Sequence, residues 1–175
     1  MGPSALASFA GAAILDTTPT VIQSIITKAS PEQLAWRPNE ERWSIEMVLA
    51  HLAHVEVNGF RSRFRVLSQQ ENPLLVAYDQ LEFFDKPRKF DAWRDLQAFA
   101  EARAETLDLL RSIPASMLER SGRHEELQSD ISFGELLNEL AFHDLGHIRQ
   151  IAELYRAKAF YPHMGPFRGY YTINP

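Results

Sequence analysis

Every long apolar run in this chain recurs at three- and four-residue intervals behind a residue able to cap a helix, a pattern that fits an all-α fold and little else. Thr18-Pro19 reads as an N-cap with proline at the first helical position, and Val21, Ile22, Ile25 and Ile26 then share one face up to about Ala29. Ser30-Pro31-Glu32-Gln33 repeats the start signal as a capping box, but Trp36-Arg37-Pro38-Asn39 breaks it after a short turn. Ser44 caps a second long helix, predicted over 45–69, with Ile45, Val48, Leu49, Leu52, Val55 and Phe60 as its stripe. Residues 70–90, with Pro73, Pro87, Tyr78, Phe83 and Phe84, read as a long crossover loop rather than a strand pair. Asp91 caps a third helix through Trp93, Leu96, Phe99, Ala100, Leu107 and Leu110 that stops before Pro114. Ser121-Gly122-Arg123-His124 reads as polar loop, and Ser132-Phe133-Gly134-Glu135 is a full S-x-x-E box opening the last helix, which carries Leu136, Leu137, Leu140, Ile151 and Leu154.

Four long helices with long connections predict a four-helix bundle, with core about 17–157 and 158–175 as an extended aromatic tail packed against the bundle or a partner. The length of 175 residues suits one domain. Eighteen basic against twenty-three acidic residues leave a net charge of −5 without a basic stripe, which argues against nucleic acid as a partner. The alanine-rich start has no Lys or Arg before Lys28, so it lacks the basic region of a signal peptide, and it is too short to span a bilayer. A soluble, cytoplasmic protein with no membrane contact is the expectation. Cysteine is absent, so any metal must be held by histidine or carboxylate.

At 100° per residue, His143 and His147 lie about 40° apart on the last helix, in line with Leu140, Ile151 and Leu154. A single histidine on such a face is commonly a core residue satisfied by one hydrogen bond, whereas two imidazoles one turn apart can share an ion about 2.0 to 2.1 Å from each nitrogen. On the second helix His51 sits at the margin of the apolar stripe and can look inward, while His54 falls near its opposite edge. A third imidazole from a facing helix would complete a set that leaves a fourth coordination position open.

Trp43-Ser44-Ile45 leading to Ala50-His51-Leu52, followed by His143-Asp144-Leu145-Gly146-His147-Ile148-Arg149-Gln150-Ile151, resembles the DinB-like superfamily from about Thr17 to Tyr155. The resemblance implies a four-helix bundle that often dimerises, and a divalent metal held by one histidine of the second helix and the H-x-x-x-H pair of the last. Carried over motif by motif, it implies His51, His143 and His147 as ligands; the ligands do not select a chemistry, and the activities found among members of the family make a metal-dependent thiol transferase or hydrolase, acting on a small molecule such as a thiol, the expectation. Three imidazoles and a water suit zinc or nickel, with iron or copper as further candidates. The alternative is a non-catalytic metal-binding or structural bundle whose fourth position is closed by His163, Glu56 or a neighbouring chain.

Other polar residues have competing roles. Asp144 gives the segment H-D-x-x-H, near the H-E-x-x-H of zinc proteases, but it points about 100° away from His143, which favours a supporting or bundle-surface position over a general base. Glu56 falls inside the apolar stripe, where a carboxylate must be paired; an ion pair with Arg63 is the plain reading, and general base to a metal-bound water the catalytic one. His163, Tyr170 or Tyr171 could reach the cavity rim from a folded-back tail, His124 reads as solvated, and Arg149 and Gln150 as supports. A di-iron carboxylate bundle is set aside because Asp144 to His147 is the sole carboxylate-x-x-His spacing.

Overall fold

The structure is a computed structural model describing residues 2–79, 84 and 88–175. Helix α1 covers Ala12–Ile26, α2 Pro31–Ala35, α3 Ile45–Val55 and α4 Ser62–Gln69, with a π-helical turn, Glu56–Arg61, joining α3 to α4. Strand β1 (Leu74–Leu75), helix α5 (Ala92–Ser112), strands β2 (Ser121–His124) and β3 (Ser129–Ser132) and helix α6 (Phe133–Ala159) follow. The four rods α1, α3–α4, α5 and α6 form the four-helix bundle. Among the described residues, no helix is long and apolar enough to cross a membrane.

Helix starts follow the cap chemistry. The hydroxyls of Ser44 and Ser132 accept from the Met47 and Glu135 amides, Ser30 and Ser132 each complete a capping box, and Asp91 accepts from the amides of Trp93 and Arg94. The step from Val55 to Phe60 is five residues, longer than α spacing allows on one face. The π turn takes up the extra residue, so Phe60, Phe64 and Leu67 continue into the core.

Four expectations are corrected. Thr18 does not cap α1, which begins at Ala12 with Pro19 inside it; Thr18 is 1% exposed and donates its hydroxyl to the Ile14 carbonyl at 2.8 Å. The core also extends beyond residue 17 toward the N-terminus, since Ala5, Leu6 and Leu15 are buried and Ala5 N–H donates to the Ile113 carbonyl. Ser121–His124 is not loop. It pairs antiparallel with Ser129–Ser132 in register Ser121 to Ser132, and Leu74–Leu75 adds a short parallel strand at its other edge. These strands are mostly polar, so alternation does not betray them; the β1 and β2 backbones approach so closely that a Cβ on Gly122 would lie 2.7 Å from the Pro73 carbonyl oxygen. Phe83 and Pro87 of the expected crossover lie outside the described residues. The tail is not extended throughout: it makes 3-10 turns at Tyr161–His163 and Gly165–Tyr170.

Two hydrophobic clusters fill the bundle, one around Leu15, Phe60, Phe64, Leu107, Phe133 and Leu140, the other around Ile22, Leu49, Leu52, Phe99, Ile151 and Leu154. Between them each rod contributes buried polar groups: Thr18 from α1, His51 and Glu56 from the α3 rod, Arg103 from α5 and Asp144 from α6. Arg103, 1% exposed, is the hub. Its Nε and Nη2 donate to Glu56 at 3.0 and 2.8 Å, its Nη1 and Nη2 donate to Asp144 at 2.6 and 2.9 Å, and Nη1 also donates to the Leu15 carbonyl at 2.9 Å. That carbonyl is available because its regular helical donor would be residue 19, and proline has no N–H. The proline inside α1 and the arginine inside the core thus satisfy one another. Glu56 therefore pairs with Arg103 and not with Arg63, which reaches outward to the Val76 carbonyl.

Replacing Arg103 with leucine leaves two facing carboxylates without their cation. The Arg103→Leu variant is expected to lose about 3 to 5 kcal/mol of unfolding free energy in urea titration at pH 7; a loss under about 1 kcal/mol would show that the polar layer is not a fastening.

Candidate metal centre

His51 is carried by α3 and His143 and His147 by α6, one turn apart. Their Nε2 atoms converge: His51 to His143 is 3.2 Å and His147 to His143 is 3.1 Å. Two nitrogens of a tetrahedral ion bound at 2.0 to 2.1 Å would stand about 3.3 Å apart, so the triangle is close to the size a single first-row ion requires. Among the described residues no fourth histidine or carboxylate joins this cluster.

The protonation pattern fits the same use. For all three Nε2 lone pairs to face one another, each ring proton must sit on Nδ1, and His147 Nδ1 lies 2.8 Å from the Gln150 Oε1 that would accept it. The buried Nδ1 atoms of His51 and His143 have no protein partner among the described residues. Three lone pairs aimed at one point repel unless a cation lies between them; the donor set and its tautomers therefore suit a divalent ion.

Electrostatics hold the rings neutral. Burial, then the neighbouring His147 and His54, pushes His51 down to about 3. Burial, then His147, His51 and the Arg103 cation, pushes His143 down to about 2. His147 is lowered by burial as well, with the Gln150 hydrogen bond and Asp144 opposing. Aromatic rings enclose the cluster: Trp43 lies 5.0 Å from His51 and Phe60 meets His143 edge-on at 5.3 Å.

A cleft of about 690 Å³ opens onto His143 and His147, bounded by Trp43, Phe142, Arg149 and Gln150 and, from the tail, by Thr172 and Asn174. His51, 2% exposed, does not line the cleft and reaches the pair from the interior, its Nε2 3.2 Å from that of His143. The tail is fastened there, since Asn174 N–H donates to Glu153 at 2.8 Å and Arg42 donates to the Asn174 side-chain oxygen at 3.2 Å.

Other residues stand apart from this set. Asp144 is fully buried in the bond to Arg103, not on the bundle surface, because its 100° offset from His143 turns it toward α5; burial pushes its carboxyl above the ordinary range while Arg103 pulls against it. Both Glu56 oxygens accept from Arg103. His124 is 8% exposed rather than solvated, its Nδ1 accepting from the Leu127 amide inside the hairpin. His163, Tyr170 and Tyr171 are exposed, and the tail meets the cleft with the residues after them. His54 bonds the Tyr78 hydroxyl. Arg103 is the residue that sequence reasoning passed over. The signal was present, for Arg103 stands four residues after Phe99 and four before Leu107, in the middle of an apolar stripe.

A family model described as the DinB superfamily matches residues 14–151. No curated protein matches the sequence. Among solved structures, a protein described as "YfiT from Bacillus subtilis is a probable metal-dependent hydrolase with an unusual four-helix bundle topology" superposes with a TM-score of 0.75 at 22% identity, over 83% of each chain. At that identity the likeness speaks to the fold.

The depressed histidines give acid sensitivity a definite sign. Unfolded histidine takes up protons near pH 6.5 while these folded rings refuse them, so their contribution to stability is complete above that value and lost as pH falls toward their folded pKa values. Metal-free protein should unfold at progressively lower urea between pH 7 and 5, each ring adding up to about 1.4 kcal/mol per pH unit. His143→Leu should flatten this dependence; an equal slope in the variant would contradict the assignment.

Proposed function

The chain belongs to the DinB superfamily, and on that premise we propose that it is a metal-dependent enzyme, a hydrolase or thiol transferase of small molecules, with His51, His143 and His147 as the ligands of one divalent ion. The observation that carries this reading is the meeting of three Nε2 atoms at the inner end of an open cleft. A structural metal site would be closed by a fourth protein ligand, and among the described residues none joins the cluster.

When bound there, zinc, nickel or a similar ion would act as a Lewis acid and lower the pKa of a water or thiol at its open position. The chain's own residues supply the rest. His51, His143 and His147 stay neutral and so remain ligands at pH 7, and Gln150 holds His147 in the required tautomer. Trp43 and Phe142 give the cleft apolar walls against which a small organic substrate can exclude water, and its volume of about 690 Å³ is in the range of small-molecule sites. Arg149 and Gln150 offer polar contacts that would orient the substrate. The description of YfiT as a "probable metal-dependent hydrolase" supports hydrolysis as the first chemistry to assay.

Elemental analysis of untagged protein purified without chelator is expected to find close to one equivalent of a divalent transition metal. His51→Ala, His143→Ala and His147→Ala should each lose it while remaining helical by circular dichroism. Wild-type protein that takes up neither zinc nor nickel on incubation would refute the proposal.

A further inference from the structure

We propose that Arg103 is the positioning residue of the histidine site: bonded at once to Glu56, Asp144 and the Leu15 carbonyl, it fixes the offset between the helix that carries His51 and the helix that carries His143 and His147. This rests on the reading of those histidines as metal ligands. It begins from how the rods meet. Helix α3 packs chiefly on α5, and α6 chiefly on α1, whereas α3 and α6 touch one another more sparingly. The edge of the triangle from His51 to His143, 3.2 Å long, therefore crosses an interface that direct packing controls weakly.

Arg103 supplies the missing link from a third helix. Glu56 follows His51 by five residues on the same rod, and Asp144 is the neighbour of His143. The guanidinium is planar and rigid, and its five N–H groups meet five acceptors from three other rods, so neither carboxylate can shift without breaking a buried bond. Because Asp144 and His143 point about 100° apart on one helix, holding Asp144 against α5 turns His143 toward α3. The same bond sets the rotation of α6 for His147, one turn on. Metal ligation tolerates errors of only about 0.2 Å, and a fork-shaped cation bonded to both ligand-bearing rods gives that kind of control. Pro19 extends it to α1, because proline frees the Leu15 carbonyl for Arg103.

A role confined to holding the fold together would change stability and leave a folded variant's metal site intact. The discriminating probe is Co²⁺, whose visible absorption reports coordination geometry, titrated into full-length wild type, Arg103→Lys, Glu56→Gln and the core variant Leu67→Ala. Lysine keeps the buried cation and loses the fork; glutamine keeps Arg103 with Asp144 and Leu15. Leu67 lies under the hairpin, beside Gly122, and is not bonded to the polar layer. At a temperature where circular dichroism shows each protein folded, Arg103→Lys and Glu56→Gln should bind Co²⁺ about 10- to 100-fold more weakly than wild type, with altered bands. Leu67→Ala should keep the wild-type Kd and spectrum. Wild-type Kd and bands in the two knot variants, or an equal loss in Leu67→Ala, would overturn the proposal, as would failure of both knot variants to fold, which would make the layer a folding element alone. Wild-type protein that binds no Co²⁺ would instead remove the metal reading on which the proposal stands.

Discussion

One guanidinium in the buried centre of the bundle dictates how the four rods can stand. A buried cation must be fully bonded or be expelled, and Arg103 meets that demand by drawing Glu56 and Asp144 from two other helices and a backbone carbonyl from a fourth. Burial alone would lower the pKa of this group, but the hydrogen bonds of Asp144 and the charge of Glu56 more than reverse it, so the guanidinium stays charged. The hydrophobic clusters above and below tolerate small slips between helices; a planar fork with five assigned acceptors does not. Pro19 belongs to the same arrangement. In isolation it is a defect in α1, and opposite Arg103 it is the source of an acceptor.

The histidines occupy the same polar layer, and their environment prepares them in two ways. Burial keeps the rings neutral, which is the form that donates a lone pair, and the adjacent Arg103 charge adds to this for His143. The layer also lies at the inner end of a cleft, so His143 and His147 meet incoming molecules while His51 backs them from the interior. On the proposed reading, an ion held by these three rings would have a protected floor and an open mouth, with the tail residues Thr172 and Asn174 forming part of the wall.

Much of this was legible in the residues alone, for reasons that are local. Capping chemistry at Ser30, Ser44, Asp91 and Ser132 acts within three residues, and the four-residue step from His143 to His147 places both rings on one helix face whatever surrounds them. What escaped depends on contacts between distant positions. The Thr18-Pro19 start signal was misleading because the bond lost at Pro19 is replaced by a residue 84 positions later. Glu56 stands inside an apolar stripe and is legible as a buried acid, but its partner lies across the bundle and not one heptad along the same helix. The hairpin at Ser121–Ser132 is polar and short, so only its backbone pairing identifies it.

Anomalous diffraction at the zinc edge, from crystals of the wild-type protein grown with one equivalent of zinc, tests the central claim most directly. A single peak about 2.0 to 2.1 Å from the Nε2 atoms of His51, His143 and His147 is the predicted result. A peak elsewhere on the molecule, or none within reach of all three rings, would contradict it.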